Sequence, residues 1–224
     1  MKLIKKYRAF LLLVIVLLSF SIRFLWLDQA PRGLLIDEAH FGYIAESLLK
    51  TGRDEHGQPW PLVFQGFGDQ KLPAQAYLLI PFIKFLGLNA LAVRLPSALI
   101  GSLLPLVIYW LLKELRMESA LALLGALIVA LNPWTFIMSR FAYEANLGLL
   151  FFSLGLIGLV RLTKNQKPTW SVLLTAFSFA ATWYSYIAFR PVTLALSAFY
   201  LTYLLLIKKI KLKFALLFFA VFVL

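Results

Sequence analysis

Apolar segments long enough to cross a bilayer recur along this chain, and they leave few folds open to it. Runs at residues 9–27, 93–112, 120–138, 147–162, 170–187 and 192–207 each carry at most one charge, and a seventh run starts at 214. Each complete run approaches the roughly 20 residues that span a membrane, the one at 147–162 being among the shortest. The chain is 62% hydrophobic and 14% charged, where a soluble domain carries about 45–50% and about 25%. The excess is gathered into the runs, so the expected fold is all-α, a polytopic transmembrane helix bundle. The absence of cysteine excludes a disulfide scaffold, a cysteine zinc site and a thiol catalyst. The seventh run reaches residue 224 unfinished, and the expectation is the front module, 1–224, of a longer protein.

Charge sets the expected topology. Lys2, Lys5, Lys6 and Arg8 precede the first run, but Asp28, Gln29 and Ala30 lack a small-x-small cleavage pattern, so the run reads as an uncleaved anchor. A further apolar stretch, 72–88, is ambiguous. If it does not span, and the N-terminus is cytoplasmic, four basic clusters share one side: the leader, Lys113/Arg116, Arg161/Lys164/Lys167 and Lys208/Lys209/Lys211/Lys213. They hold 13 of the 22 Lys and Arg residues, as the positive-inside rule requires. A spanning stretch with an external N-terminus satisfies charge equally well but requires translocating the basic leader. Pro73, Pro81 and Lys84 also make 72–88 a poor span. It is read as an amphipathic helix on the outer membrane surface, within an external loop of residues 28–92. The +12 net charge is then topological and no nucleic-acid footprint.

Residues 28–71 hold seven of the ten acidic residues: Asp28, Asp37, Glu38, Glu46, Asp54, Glu55 and Asp69. Within them, Phe41, Ile44, Leu48 and Leu49 recur at helical spacing and Gly52 supplies a stop. Asp37 falls where an N-cap belongs, and the plain reading is that it caps while Glu38 complements the helix dipole. The location argues for more. A carboxylate pair at the water–lipid boundary, fixed on a helix, is what a base needs to take a proton from an acceptor hydroxyl. Arg140 and Glu144, on the next external loop, read as a helix ion pair or as a phosphate-binding arginine beside a second carboxylate. Arg190, beside Tyr184 and Tyr186, is either an interfacial anchor or a further phosphate contact. Lys71 is a positive boundary residue or a phosphate contact. Arg94 reads as structural.

Other patterns carry less. Asp37-Glu38-Ala39-His40 spells a helicase box, but no G-x-x-x-x-G-K loop accompanies it. Gly66 and Gly68 lack a strand–helix context. His40 and His56 are sixteen residues apart and read as solvated rather than metal-binding. A transporter or lipid flippase would place its ionisable or broken-helix sites near the midplane, whereas these cluster at one edge. A non-catalytic membrane subunit is a further alternative.

Together these pieces resemble the start of a GT-C glycosyltransferase, the integral-membrane superfamily that includes protein O-mannosyltransferases and the lipid A aminoarabinose transferase. The resemblance rests on Asp37-Glu38 with Tyr43 and Ala45, then Gly68, Asp69, Lys71 and Pro73 with Tyr77. It continues through Ala92, Arg94, Pro96 and Ala98, then Asn132-Pro133, then Ser139-Arg140 leading to Glu144. It implies a module of about seven membrane helices with surface helices in the first external loop. It further implies a polyprenyl-phosphate sugar donor drawn from the membrane, no nucleotide cofactor, and an acceptor that is a protein, a lipid or a glycan. By resemblance Asp37 is the base with Glu38 beside it, Glu144 is the acidic residue of the second loop, and Lys71, Arg140, Arg190 and Tyr43 are donor or phosphate contacts. The family's Lys-Pro pair is here interrupted, as Lys71-Leu72-Pro73. An oxocarbenium-like transition state with inversion follows, and a divalent metal ion held by Asp37 and Glu144 is an open addition. The implied location is the plasma membrane of a bacterium or archaeon, with the site facing outward.

Overall fold

The computed structural model describes residues 2–66, 68–164 and 168–222, with side chains from Lys6 onward. Lys167 and the last two residues of the seventh run lie outside them, as do the side chains of Lys2 and Lys5. Helices α1 (Lys2–Phe24), α2 (Ile36–Thr51), α3 (Pro73–Leu86), α4 (Ala90–Glu114), α5 (Ser119–Leu131), α6 (Pro133–Arg140), α7 (Glu144–Thr163), α8 (Pro168–Ser185), α9 (Phe189–Leu206) and α10 (Leu212–Phe222) account for most of the described chain. A two-residue hairpin, β1 (Phe64–Gln65) against β2 (Gln70–Lys71), is the only sheet among the described residues. This is an all-α polytopic bundle.

Four helices, α1, α4, α7 and α9, are long and apolar enough to cross a membrane, and α5 with α6 makes a fifth candidate if the bent pair counts as one span. The 120–138 run is therefore not one straight helix. Pro133 has no N–H to give to the preceding turn, and the Asn132 side chain accepts from the N–H groups of Trp134 (2.9 Å) and Thr135 (3.2 Å). That cap starts a new helix, bent 51° from the last. Helix α8 covers all but the last two residues of the 170–187 run but falls below the apolarity of the others, because Thr169, Ser171, Thr175, Ser178, Thr182 and Ser185 interrupt it. All but the first of these are buried, and Ser171 and Thr175 lie against Gly158 of α7. A Cβ on Gly158 would strike the Thr175 hydroxyl and sit 2.9 Å from the Ser171 carbonyl oxygen. Backbone cannot yield as a side chain can, so Gly158→Ala should cost about 1–3 kcal/mol of stability. A thermal unfolding midpoint in detergent reads the loss; an unchanged midpoint would mean that α7 and α8 are not packed this closely.

Helix α3 is 14 residues long, about 21 Å, too short for the ~30 Å hydrocarbon core. Its Pro73 occupies the first turn, where a missing N–H costs nothing. Ala76, Leu79 and Ile83 pack on Phe41, Ile44, Ala45 and Leu48 of α2, while Phe85 and Leu86 are exposed. The pair α2–α3 thus shares one apolar core, which Val93 at the start of α4 joins to the bundle. Gly52 ends α2 at φ 69°, a left-handed conformation that glycine adopts without strain.

Charged side chains close both ends of the bundle. At the end remote from α2 and α3, Glu114 of α4 receives Arg161 Nε at 2.8 Å and Lys164 Nζ at 3.2 Å, both from α7. At the other end, two buried arginines, Arg23 and Arg140, clamp the close of α1. Arg23 donates to Ser19 Oγ (2.8 Å), Ser139 Oγ (3.0 Å) and the Ala130 carbonyl (2.9 Å). Arg140 donates to the carbonyls of Ile22, Arg23, Leu25, Trp26 and Ala30. These include the last carbonyls of α1, which have no partner within their own helix. Arg140→Met should lower stability by about 3 kcal/mol, the scale of losing charged hydrogen bonds and stranding buried carbonyls. Unfolding in detergent measures it, and no change would show that water serves these carbonyls.

Candidate active site

Asp37 opens the site. Helix α2 begins at Ile36, two residues earlier than a cap at Asp37 requires, and its N-cap is Leu35. The cap role falls instead to Glu38, whose Oε2 accepts the Leu35 N–H at 2.9 Å. Asp37 is therefore released from capping. It stands in the first turn, where the helix dipole favours a carboxylate, and its Oδ1 meets Lys71 Nζ at 3.0 Å.

Lys71 is carried by the hairpin. Gly68 takes φ +85° in its turn, and the Gly66 N–H closes on the Asp69 carbonyl at 2.8 Å. The same turn brings Asp69 Oδ2 to Lys71 Nζ at 2.9 Å. The ammonium thus lies between two carboxylates. Its side chain is 9% exposed, against 47% for Asp37 and 54% for Asp69. Burial by itself would lower the lysine. The hydrogen bonds to Asp69 and Asp37, with the charge of Glu144, outweigh it and push Lys71 up to about 12. Glu144, at the first turn of α7, interacts through its charge with Lys71, Asp37 and Asp69. Among the described residues it makes no hydrogen bond or ion pair, which leaves its carboxylate open to a ligand.

The structure brings Asp37, Lys71 and Glu144 into one cluster and places the other candidates elsewhere. Glu38 is buried with Arg94 (Nε to Oε1 at 2.9 Å) rather than turned to Lys71. Arg140 and Glu144 form no ion pair, because the helix breaks between them and the arginine turns to α1. Arg190 donates from Nε and Nη2 to the Trp183 carbonyl, both at 3.1 Å, and stacks over that indole. Tyr43 is exposed on α2 with no polar contact among the described residues. His40 is not solvated: its Nε2 lies 2.7 Å from Glu55 Oε1, and both side chains are mostly buried. Asp69, which the sequence reading quoted without assigning a role, completes the cluster. The signal for it was the Gly66/Gly68 turn, which folds residue 69 back beside residue 71.

A metal ion fits this arrangement poorly. Among the described residues no three His, Asp or Glu side chains gather as a ligand set. The space between Asp37 and Asp69 already holds the Lys71 ammonium. A bound cation would have to displace it.

What remains is a carboxylate–ammonium cluster at one end of an apolar bundle, where α2 meets the β1–β2 hairpin. The family model for dolichyl-phosphate-mannose-protein mannosyltransferases matches residues 13–224, nearly the whole chain. The chain belongs to this family. No curated protein matches the chain. Membership in the mannosyltransferase family, one of the GT-C superfamily, makes the chain a membrane glycosyltransferase and sets aside the transporter and flippase readings. The matched region runs from the middle of α1 through α10, so it includes the loop bearing Asp37 and Lys71 and the turn bearing Glu144.

Proposed function

We propose that the chain transfers a hexose, mannose as in the family's name, from a polyprenyl phosphate to an acceptor hydroxyl, with inversion at the anomeric carbon. The observation that carries this reading is the placement of Lys71 between Asp37 and Asp69, with the unpartnered Glu144 in electrostatic reach. Asp37 is the base: half-exposed, fixed on a helix turn and one hydrogen bond from the lysine, it takes the acceptor proton as the oxygen attacks. The C–O bond to the phosphate breaks as the new glycosidic bond forms, and the electron pair leaves with the phosphate. Lys71 stabilises that departing charge, so the leaving group needs no proton. With the Arg140 and Arg190 guanidiniums turned to backbone carbonyls, the lysine carries the phosphate role in this proposal. Glu144 orients the sugar through its hydroxyls. The lipid tail stays in the bilayer, which is why the site belongs at the membrane boundary. The acidic end faces outward, as the basic opposite end supports.

Product stereochemistry tests the chemistry. A polyprenyl-phosphate mannose of known anomeric configuration should yield a product of the opposite configuration; retention would require a covalent intermediate and would overturn the single-displacement scheme. Facing is tested separately. Gln58→Cys, in a chain without other cysteines, should react in intact cells with a membrane-impermeant thiol reagent. Labelling only after lysis would invert the topology.

A further inference from the structure

Glu38 and Arg94 play no part in the scheme above, yet this charged pair, joining α2 to α4, is almost completely enclosed, 2% and 0% exposed. Each oxygen of Glu38 accepts twice. Oε2 takes Arg94 Nη2 at 3.1 Å and the Leu35 N–H at 2.9 Å. Oε1 takes Arg94 Nε at 2.9 Å and the Ala142 N–H at 3.3 Å. The remaining Arg94 contacts are the carbonyls of Leu27, Pro31 and Gly33, along the segment that leaves α1. One carboxylate therefore ties together the turn that carries Asp37, the strand of chain two residues before Glu144, and the top of α4.

We propose that Glu38 and Arg94 are positioning residues that hold Asp37 and Glu144 at their working separation, with neither touching substrate. The proposal rests on the roles given above to Asp37 and Glu144. Energetics favour it over simple stabilisation. A buried ion pair gains little over well-packed apolar side chains of the same volume. What it offers that apolar residues cannot is direction: a planar fork and a planar carboxylate that meet in one register. The two N–H groups on Glu38 belong to segments more than 100 residues apart in sequence. A carboxylate drawn back by one methylene keeps its charge but cannot reach Arg94, Leu35 and Ala142 together.

Glu38→Asp and Arg94→Lys test this, since both conserve charge and lose the geometry. Each should lower kcat by about 10²-fold, the scale for a misplacement of about 1 Å. KM for the lipid-linked sugar should change far less than kcat, because Lys71, the phosphate contact, is carried by the β1–β2 hairpin and not by this pair. A kcat within twofold of wild type in both variants would overturn the proposal. So would failure of both to accumulate in the membrane, which would make the pair a folding element. An activity-free readout separates this idea from the one it rests on. Spin labels on Lys50→Cys in α2 and Tyr143→Cys beside α7, both exposed, should give a broader distance distribution in the Glu38→Asp background than in the native one. An unchanged distribution would refute the joint. If Asp37→Asn proves active while the distribution broadens, the joint stands and the catalytic reading falls.

Discussion

Replacing Asp37 by asparagine should lower kcat for sugar transfer by roughly 10²–10⁴-fold, the range that a positioned general base supplies. Asparagine has the same shape but cannot accept a proton at neutral pH. The fold should survive the change for reasons visible in the structure. Lys71 keeps Asp69 at 2.9 Å, and α2 keeps its cap, because Glu38 and not Asp37 serves the Leu35 N–H. The loss to α2 is one charge near its dipole, about 1 kcal/mol or less at an exposed site. Membrane insertion and detergent unfolding should therefore match wild type while transfer does not. A variant that retains most activity would remove Asp37 as the base and leave Glu144 as the next carboxylate to examine.

Lys71→Met should be nearly as damaging, about 10²–10³-fold in kcat, the effect of removing one preorganised group from a developing anion. Methionine fills the space of the alkyl stem but leaves Asp37 and Asp69 facing the phosphate without a cation between them. The lysine also titrates in a direction that can be checked. Its folded value, about 12, stands above the ordinary 10.5. A cation raised in this way contributes stability fully below pH 10.5 and loses it as pH rises through 12. The stability lost in Lys71→Met should then be the same at pH 7 and pH 9. It should not exceed about 2 kcal/mol, and should be smaller in practice, because its two half-exposed partners are screened by water and salt. By the same sign, wild-type transfer should show no falling limb from lysine deprotonation between pH 8 and pH 10. A limb with its midpoint near 9 would mean that the ammonium is not held between carboxylates during turnover.

The parts of the fold that follow from solvation were legible in the sequence. Apolar runs became helices because a backbone in lipid must satisfy its own hydrogen bonds, and the 72–88 stretch was separated from them by its prolines and by the charge of its neighbours. Asp37, Lys71 and Glu144 could be grouped because topology alone puts their three segments at one end of the bundle. Side-chain direction could not be read in the same way. Arg140 and Arg190 have the chemistry of phosphate ligands, but each is adjacent to unpartnered carbonyls of its own fold, and those acceptors take it. Glu38 and Asp37 are neighbours in sequence, and a helix turns successive residues by about 100°. One therefore meets Lys71 while the other is buried on Arg94, a division that adjacency conceals. Asn132-Pro133 was legible only as a family feature within a single 120–138 run, and the 51° bend there depends on the cap that Asn132 makes.

The central claim is that this cluster acts on a lipid-linked sugar, and the fate of a label tests it most directly. Membranes from cells expressing the chain, given polyprenyl phosphate bearing labelled mannose, should release free polyprenyl phosphate and pass the label to an acceptor without any nucleotide. Membranes with Asp37→Asn should leave the label on the lipid. Transfer only from a nucleotide-linked mannose, or equal loss of label in the two membranes, would contradict the account.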